Sequence, residues 1–272
     1  MSEVGSRKRP VALVTGAARR IGRAISLRLA GRGYAVALHC NSSRGEAEKL
    51  AREITGGGGE ATVIEADLAD MAAVEALMGR TARAVGAPTC LVNNAALFLH
   101  DEASDFDTAT WQRHQAVNLS APILLTRDLA RGLPEGSNGA VINILDQRVL
   151  RPTPAFFSYG VTKAGLWAAT QMLAQGLAPR VRVNAIGPGP VLPNVHQGED
   201  EFKAQQRALP LQRGATPEEI AAAVEFILDQ PAMTGQLLLL DGGQHLSWRT
   251  PDALLDIAAA ASGADEAGKD HR

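Results

Sequence analysis

Val11-Ala-Leu-Val-Thr15-Gly-Ala-Ala-Arg-Arg-Ile-Gly22 is the stretch whose reading decides the fold. Its first residues are a short apolar run, the mark of a buried strand. Gly16 and Gly22 bracket a turn, and a helix is expected from about Arg19 to Arg32. Such a strand-turn-helix presents backbone amides and a helix N-terminus to an anion.

The same alternation continues outward. Further strands are expected at Tyr34–His39, Thr62–Ala66, Cys90–Asn93, Ala140–Leu145, Arg180–Ile186 and Gln236–Asp241. Helices are expected at Arg44–Thr55, at Asp70–Val85 with Asp70 as cap, over a long region from Asp107 to Leu133, and at Ser158–Leu177. Another starts at Thr216-Pro-Glu-Glu219, with threonine as cap and proline in the first turn. Short, continuously apolar strands separated by helices imply parallel pairing buried on both faces. The expected architecture is a single α/β domain, a Rossmann-type doubly wound sheet of about seven strands with helices on both faces. We expect an N-terminal arm at 1–9, the dinucleotide-binding domain at 10–247 and a tail at 248–272. In that tail 252–261 can form a short helix and 262–272, small and charged, is expected to be disordered.

Composition excludes several classes. The 272 residues carry a net charge of −2, with 46% apolar and 21% charged residues. That balance gives no electrostatic case for nucleic acid or an anionic membrane. No apolar run approaches the roughly 20 residues that span a bilayer, and the run behind the basic N-terminus is too short for a signal peptide. Two cysteines, Cys40 and Cys90, make no disulfide scaffold, so a reducing cytoplasm is the default expectation. No GxSxG elbow and no metal-ligand spacing is present. Lysines number five and tyrosines two, so few positions can supply an amine or a phenol.

Cofactor type is read after the second strand. NAD-binding sheets of this kind place a carboxylate there for the ribose 2′-hydroxyl. This chain reads His39-Cys-Asn-Ser-Ser-Arg44. Asn41, Ser42 and Ser43 can donate to a 2′-phosphate, and Arg20 and Arg44 add charge, so NADPH is expected. Asp67 is placed either to touch the adenine or to cap the next turn.

Tyr159-Gly-Val-Thr-Lys163 puts a phenol and an ammonium on one helical face. The lysine cation is expected to lower the phenol pKa from about 10 towards a useful range.

With these landmarks the chain resembles the short-chain dehydrogenase/reductase superfamily over about residues 10 to 247. The matching features are the turn at Gly16 and Gly22, Asp67-Leu68, Asn93-Asn-Ala95-Ala96, Asn118, Tyr159 with Lys163, Val183-Asn184, Gly187-Pro188-Gly189 and Asp241-Gly-Gly243. The resemblance implies that Tyr159 is the general acid and that Lys163 tunes it and holds the nicotinamide ribose. It implies that Asn118 supports a proton-relay water. It also implies that Gly16, Ile21, His39, Leu68, Asn93, Ala95, Ala96, Pro188 and Gly189 line the cofactor, and that the chain forms a homotetramer.

Two departures narrow the reading. The middle glycine of the turn is Arg20, and the serine expected 13 residues before the tyrosine is Asp146. An ionised carboxylate cannot donate to a substrate carbonyl and repels an oxyanion. Both departures resemble the pteridine reductase branch, dihydromonapterin reductases included. That likeness implies a pterin stacked on Phe98, with protons delivered to a ring nitrogen by Tyr159 and Asp146. Pro190 and Val191 would line the substrate side, within a lid formed by 187–193 and the polar stretch 194–200. The expected function is NADPH-dependent reduction of a dihydropterin such as dihydromonapterin, dihydrobiopterin or dihydrofolate. The alternatives are a 3-oxoacyl or other carbonyl reductase, which Asp146 disfavours, and a non-catalytic NADPH-binding regulator, which has no need of the Tyr159–Lys163 pair.

Overall fold

The computed structural model describes residues 9–193 and 197–248. The expected tail helix and the middle of the expected lid lie outside them. Among the described residues no helix is long and apolar enough to cross a membrane.

Seven parallel strands form one sheet in the order β3-β2-β1-β4-β5-β6-β7. They are β1 (Val11–Val14), β2 (Ala35–Cys40), β3 (Glu60–Glu65), β4 (Cys90–Asn93), β5 (Gly139–Ile144), β6 (Val181–Pro188) and β7 (Leu237–Leu240). Register runs from Leu13 beside Ala37 and Leu91 to Ile186 beside Leu238.

Side chains alternate across each strand and so feed two cores. Ala12, Val14, Val36, Leu38, Val92 and Ile142 pack on one face against Ile25 and Leu29 of α1 (Arg20–Gly31) and Ile220 and Val224 of α8 (Pro217–Leu228). Leu13, Ala37, Leu91, Val141 and Val183 face the other side, against Val74 and Leu77 of α3 (Met71–Val85) and Leu125 and Leu129 of α5 (Ala121–Gly132). Caps end the helices as the sequence suggests. Asp70 accepts from the amides of Ala72 and Ala73, and Thr216 with Glu219 closes a full capping box.

The long helical region of the sequence is divided. It comprises α4 (Thr108–His114), a π-helical segment Gln115–Ser120, and α5. Pro122 causes the break. It has no N–H to return to the Asn118 carbonyl four residues back, and the Ala121 amide instead reaches Ala116, five back. The widened turn carries Asn118 into the protein, where it is fully buried.

The strand order reverses between β1 and β4, so the C-terminal ends of these strands leave a crevice. The remaining helices are α2 (Arg44–Gly56), α6 (Phe157–Leu177) and α7 (Glu199–Arg207).

Candidate active site

A cleft of about 420 Å³ opens over the β1–α1 turn. Gly16 takes a φ of +62°, and a side chain at Gly22 would lie 2.1 Å from the Gly16 carbonyl, so the turn closes only around glycine. No acidic residue sits in the first turn of α1, and no side chain caps it. Its amides are therefore available to an anion in the cleft. These features fit a dinucleotide pyrophosphate. Gly16, Arg20, Ile21, Gly22, His39, Asn41, Ser42, Ser43, Asp67, Leu68, Ala95 and Ala96 line the cleft, as the sequence suggests. Asn94, a neighbour of Asn93 in the same motif, lines it as well, and so do Arg19 and Val117, neither of which stood out as a cofactor contact in the sequence.

Several residues take up different tasks. Asn93 does not face the cleft. It is buried and donates to Asn143 Oδ1 at 2.8 Å, tying β4 to β5, while Asn94 points into the cleft and donates to the Thr15 and Gly16 carbonyls. The chain alternates at a strand end, so adjacent asparagines face opposite ways. His39 contributes a wall rather than a charge. Its Nδ1 accepts from the Gly16 amide and its Nε2 faces the Ala66 carbonyl at 3.1 Å. Burial pulls its pKa down to about 4, so the ring is neutral and pins the turn to β3. Asp67 accepts from the Ala69 amide at 2.9 Å and from Asn41 at 3.4 Å, which makes it a turn cap within the cleft wall.

The expected charge at the 2′-phosphate is redistributed. Arg44 pairs with Glu48 and Glu65 and faces solvent. Arg20, at a φ of +52°, turns the other way and donates to the Leu192 and Pro193 carbonyls at 3.0 and 2.8 Å. It lies between the cofactor cleft and a second cavity and holds the 187–193 loop. Arg19 also lines the cofactor cleft, and it pairs with Glu46.

The second cavity, about 500 Å³, adjoins the first and shares Arg20, Ile21, Asn94 and Ala96 with it. Phe98, Asp146, Tyr159, Lys163, Pro188, Gly189, Pro190 and Val191 line it. Tyr159 Oη donates to Asp146 Oδ2 at 3.0 Å, and the Arg148 amide donates to Asp146 Oδ1 at 2.9 Å. Asp146 therefore caps a short turn and receives the phenol at once. Burial first, then the charge of Asp146 and its hydrogen bond, push the phenol well above its ordinary pKa, and Arg148 opposes them. The expected lowering by Lys163 is not what this geometry gives. Lys163 Nζ donates to the Ile144 carbonyl at 2.7 Å and stands 5.6 Å from the Tyr159 ring centroid. Its own burial brings it down to about 8, against the pull of Asp146.

Asn118 is committed to the backbone. Its carbonyl accepts from the Leu97 amide at 2.8 Å and its amide donates to the Leu97 carbonyl at 2.9 Å. It thus fixes the loop segment that carries Phe98. Phe98 stacks on Phe156 with centroids 4.2 Å apart and stands edge-on to Tyr159 at 4.7 Å. One face of Phe98 is thus already covered by a ring that the sequence did not single out. Phe156 holds φ +60°, a strained conformation for an aromatic residue, just before α6.

A buried polar chain supports that corner. The amides of Phe156 and Phe157 reach the Asp101 carbonyl, and Ser158 donates its amide (3.1 Å) and its hydroxyl to the Asp101 carboxylate. The Leu99 amide donates to His114 Nε2 at 3.3 Å, which leaves the proton on Nδ1 to meet Ser158 Oγ at 2.6 Å. Asp101, His114 and Ser158 are all buried. Together they lock the N-terminus of α6, and with it Tyr159, to the segment bearing Phe98. Serine before a tyrosine carries no such signal in sequence, because its partners lie 44 and 57 residues away.

Among the described residues no cluster of histidine, cysteine or acidic side chains could hold a metal.

Known proteins share this sequence pattern and this fold. A family model described as enoyl-(acyl carrier protein) reductase matches residues 16–245. The crystal structure of FolM alternative dihydrofolate reductase 1 from Brucella suis, in complex with NADP, aligns with a TM-score of 0.87. It is 47% identical and the alignment covers 89% of this chain and 98% of that one. A blue fluorescent protein from a metagenomic library, in complex with NADPH, is 31% identical with a TM-score of 0.80, covering 86% and 97%. The 3-oxoacyl-(acyl-carrier-protein) reductase of Synechocystis sp. is 32% identical over 237 residues, 86% of this chain and 96% of that protein. Matched along most of its length in sequence and in fold, the chain belongs to the short-chain dehydrogenase/reductase superfamily.

Proposed function

We propose that the protein is an NADPH-dependent reductase of a dihydropterin. The observation that carries this reading is the Tyr159–Asp146 hydrogen bond in a cavity walled by Phe98. A carboxylate stands where a carbonyl reductase needs a donor, and a carboxylate-phenol pair suits proton delivery to a ring nitrogen.

The α1 amides with Asn41, Ser42 and Ser43 would hold NADPH, which would supply the hydride. Tyr159, its proton shared with Asp146, delivers that proton to the nitrogen next to the reduced carbon. Asp146 then holds the phenolate's replacement proton as it arrives from solvent. Lys163, fixed on the Ile144 carbonyl, offsets the negative charge of the pair. Asn118 acts by keeping the Leu97 backbone, and so Phe98, in place. The 47% identity to a protein crystallised as a dihydrofolate reductase supports the same reading. By family resemblance the assembly is a homotetramer.

The second reading is a 3-oxoacyl or related carbonyl reductase. It is favoured by the names of the curated relatives, such as the Synechocystis enzyme. A panel with NADPH that pairs dihydropterins against acetoacetyl thioesters separates the two. Oxidation of NADPH with the pterins and not with the thioesters is expected; the reverse preference overturns the pterin reading.

A further inference from the structure

Three side chains hold the loop segment 97–101, which carries Phe98. Asn118 grips the Leu97 backbone, His114 accepts from the Leu99 amide, and Ser158 donates twice to the Asp101 carboxylate. His114 is fully buried. Its Nε2 can accept the Leu99 N–H, at 3.3 Å, only while that nitrogen carries no proton. Its Nδ1–H donates to Ser158 Oγ at 2.6 Å, whose own hydroxyl donates to Asp101. The relay thus selects one tautomer of the neutral ring. A second proton would set two donors, Nε2–H and the Leu99 N–H, against each other in a buried corner.

Few charged groups surround the ring. Asp101 faces it from the 97–101 segment, through Ser158, and Arg113 precedes it on α4. From α6 comes the Tyr159 phenol, with ring centroids 6.5 Å apart. The π-helical segment Gln115–Ser120 brings no charge, and His100 turns outward against Phe156. Burial holds the imidazole below its ordinary pKa, Asp101 opposes this and Arg113 adds to it.

We infer that His114 is a positioning residue: as the neutral ring it holds the Leu99 backbone, and with it Phe98, in the substrate-binding arrangement, and a proton on Nε2 releases that wall. The kinetic form of this inference rests on the pterin-reductase reading; its structural form does not. Protonation leaves the Nδ1–H bond to Ser158 in place, so the α6 end and Tyr159 stay put. The loss therefore falls on substrate KM, not on kcat. When only the neutral form binds, apparent KM varies inversely with the neutral fraction and climbs by up to about tenfold per pH unit. His39 also titrates on the acid side, but it holds Gly16 in the cofactor turn, so its effect falls on NADPH.

Two measurements on the full chain test this. The first is steady-state kinetics from about pH 7.5 to about pH 4.5, with NADPH saturating and a dihydropterin varied, in wild type, His114→Gln, His114→Leu and Asp101→Asn. Glutamine supplies one donor and one acceptor and does not titrate. Wild-type KM is expected to climb on the acid side and His114→Gln to stay flat, while His114→Leu raises KM at every pH. Asp101→Asn removes the charge that favours the imidazolium and should move the climb down by about one pH unit. An acid climb in His114→Gln equal to that of wild type overturns the inference. Should His114→Gln not fold, the Asp101→Asn shift decides, and no shift overturns it. The second measurement is hydrogen exchange of the 97–101 peptide in the NADP-loaded protein without substrate, corrected for the intrinsic pH dependence. Protection lost on acidification in wild type and kept in His114→Gln supports the inference; equal loss in both, or none in wild type, overturns it. If exchange behaves as expected but wild type reduces no dihydropterin, the role of His114 stands and the pterin-reductase reading falls.

Discussion

The Tyr159 phenol donates a hydrogen bond to Asp146 Oδ2 at 3.0 Å, and the same carboxylate raises the pKa of the phenol that binds it. The two groups therefore act as one proton-holding unit, and removing either member should be costly. Tyr159→Phe keeps the ring against Phe98 and deletes the proton. Turnover should fall by about 10²–10⁴, the usual worth of a positioned acid, with NADPH affinity within a few-fold of wild type by fluorescence titration. Asp146→Ser should lose pterin turnover and lower the phenol pKa. Wild-type pterin rates in Asp146→Ser would show the carboxylate to be only a turn cap.

Lys163 titrates in the working range, because burial brings it to about 8. Its charged form offsets the Asp146–Tyr159 pair, so kcat/KM should fall as pH rises through about 8. A profile flat to pH 9.5 would remove the ammonium from the mechanism. Stability moves the opposite way. The folded pKa lies below the unfolded value, so the unfolded chain binds more protons between about 8 and 10.5 and stability rises with pH across that window. Cys40, Cys90, Tyr34 and Tyr159, all raised by burial, contribute losses over the same range, so urea midpoints at pH 8 and pH 10 are compared between wild type and Lys163→Met, and only wild type should carry the Lys163 gain. Above pH 10 Tyr159, whose folded pKa is raised, contributes a loss instead.

His39 gives the acid limb. Its folded pKa of about 4 lies below the ordinary 6.5, so its contribution is complete above pH 6.5 and is lost as pH falls towards 4. At pH 5 this group alone should cost about 2 kcal/mol relative to pH 7, from the shift at 1.36 kcal/mol per unit. His39→Gln, which keeps a hydrogen-bonding side chain and cannot titrate, should flatten that part of the pH dependence in urea denaturation. An unchanged slope between pH 7 and 5 would place the titration elsewhere.

Much of this molecule was legible in its sequence, for physical reasons. Strands such as Val11–Val14 and Cys90–Asn93 are short apolar runs buried on both faces, and that periodicity needs no partner to be recognised. Gly16, Gly22 and Tyr159 with Lys163 lie in local patterns whose chemistry follows from spacing, whereas Asp146 stands out only through the resemblance to a family pattern. The split of the 107–133 helix was not legible as such, though Pro122 marked the place. Arg20 was read as a phosphate ligand from its neighbours in sequence, yet its partners are 172 and 173 residues away in the 187–193 loop. Phe156 and Arg148 follow no periodic pattern, and Phe98, Asp101 and Tyr159 give them meaning only once the chain is folded.

The Asp101 network should be measurable as stability. Asp101→Ala removes the acceptor of the Ser158 amide and hydroxyl and leaves two buried donors unpaired. Each costs about 1–3 kcal/mol, so a loss of about 3 kcal/mol is expected in urea denaturation, together with a fall in kcat as α6 loosens beneath Tyr159. A loss below about 0.5 kcal/mol would mean that water replaces the carboxylate without strain. Asp101→Asn should fall between the two, since its oxygen can still accept the Ser158 amide.

Cofactor choice rests on the missing carboxylate after β2, and the geometry says where to put one back. Asn41, Ser42 and Ser43 line the cofactor cleft with Arg19, whereas Arg20 faces the 187–193 loop and Arg44 pairs with Glu48 and Glu65. Asn41→Asp introduces a charge beside the expected 2′-phosphate and beside Asp67, whose carboxylate lies 3.4 Å from the present amide. Repulsion of the doubly charged phosphate should weaken NADPH at least tenfold and leave NADH within about twofold, since a 2′-hydroxyl can donate to a carboxylate. Arg20→Ala, by contrast, should leave the NADPH-to-NADH ratio unchanged and raise the substrate KM, because its contacts are with the loop over the second cavity. Competitive titration of both nucleotides against both variants decides it. A ratio moved by Arg20→Ala and not by Asn41→Asp would return the 2′-phosphate to Arg20.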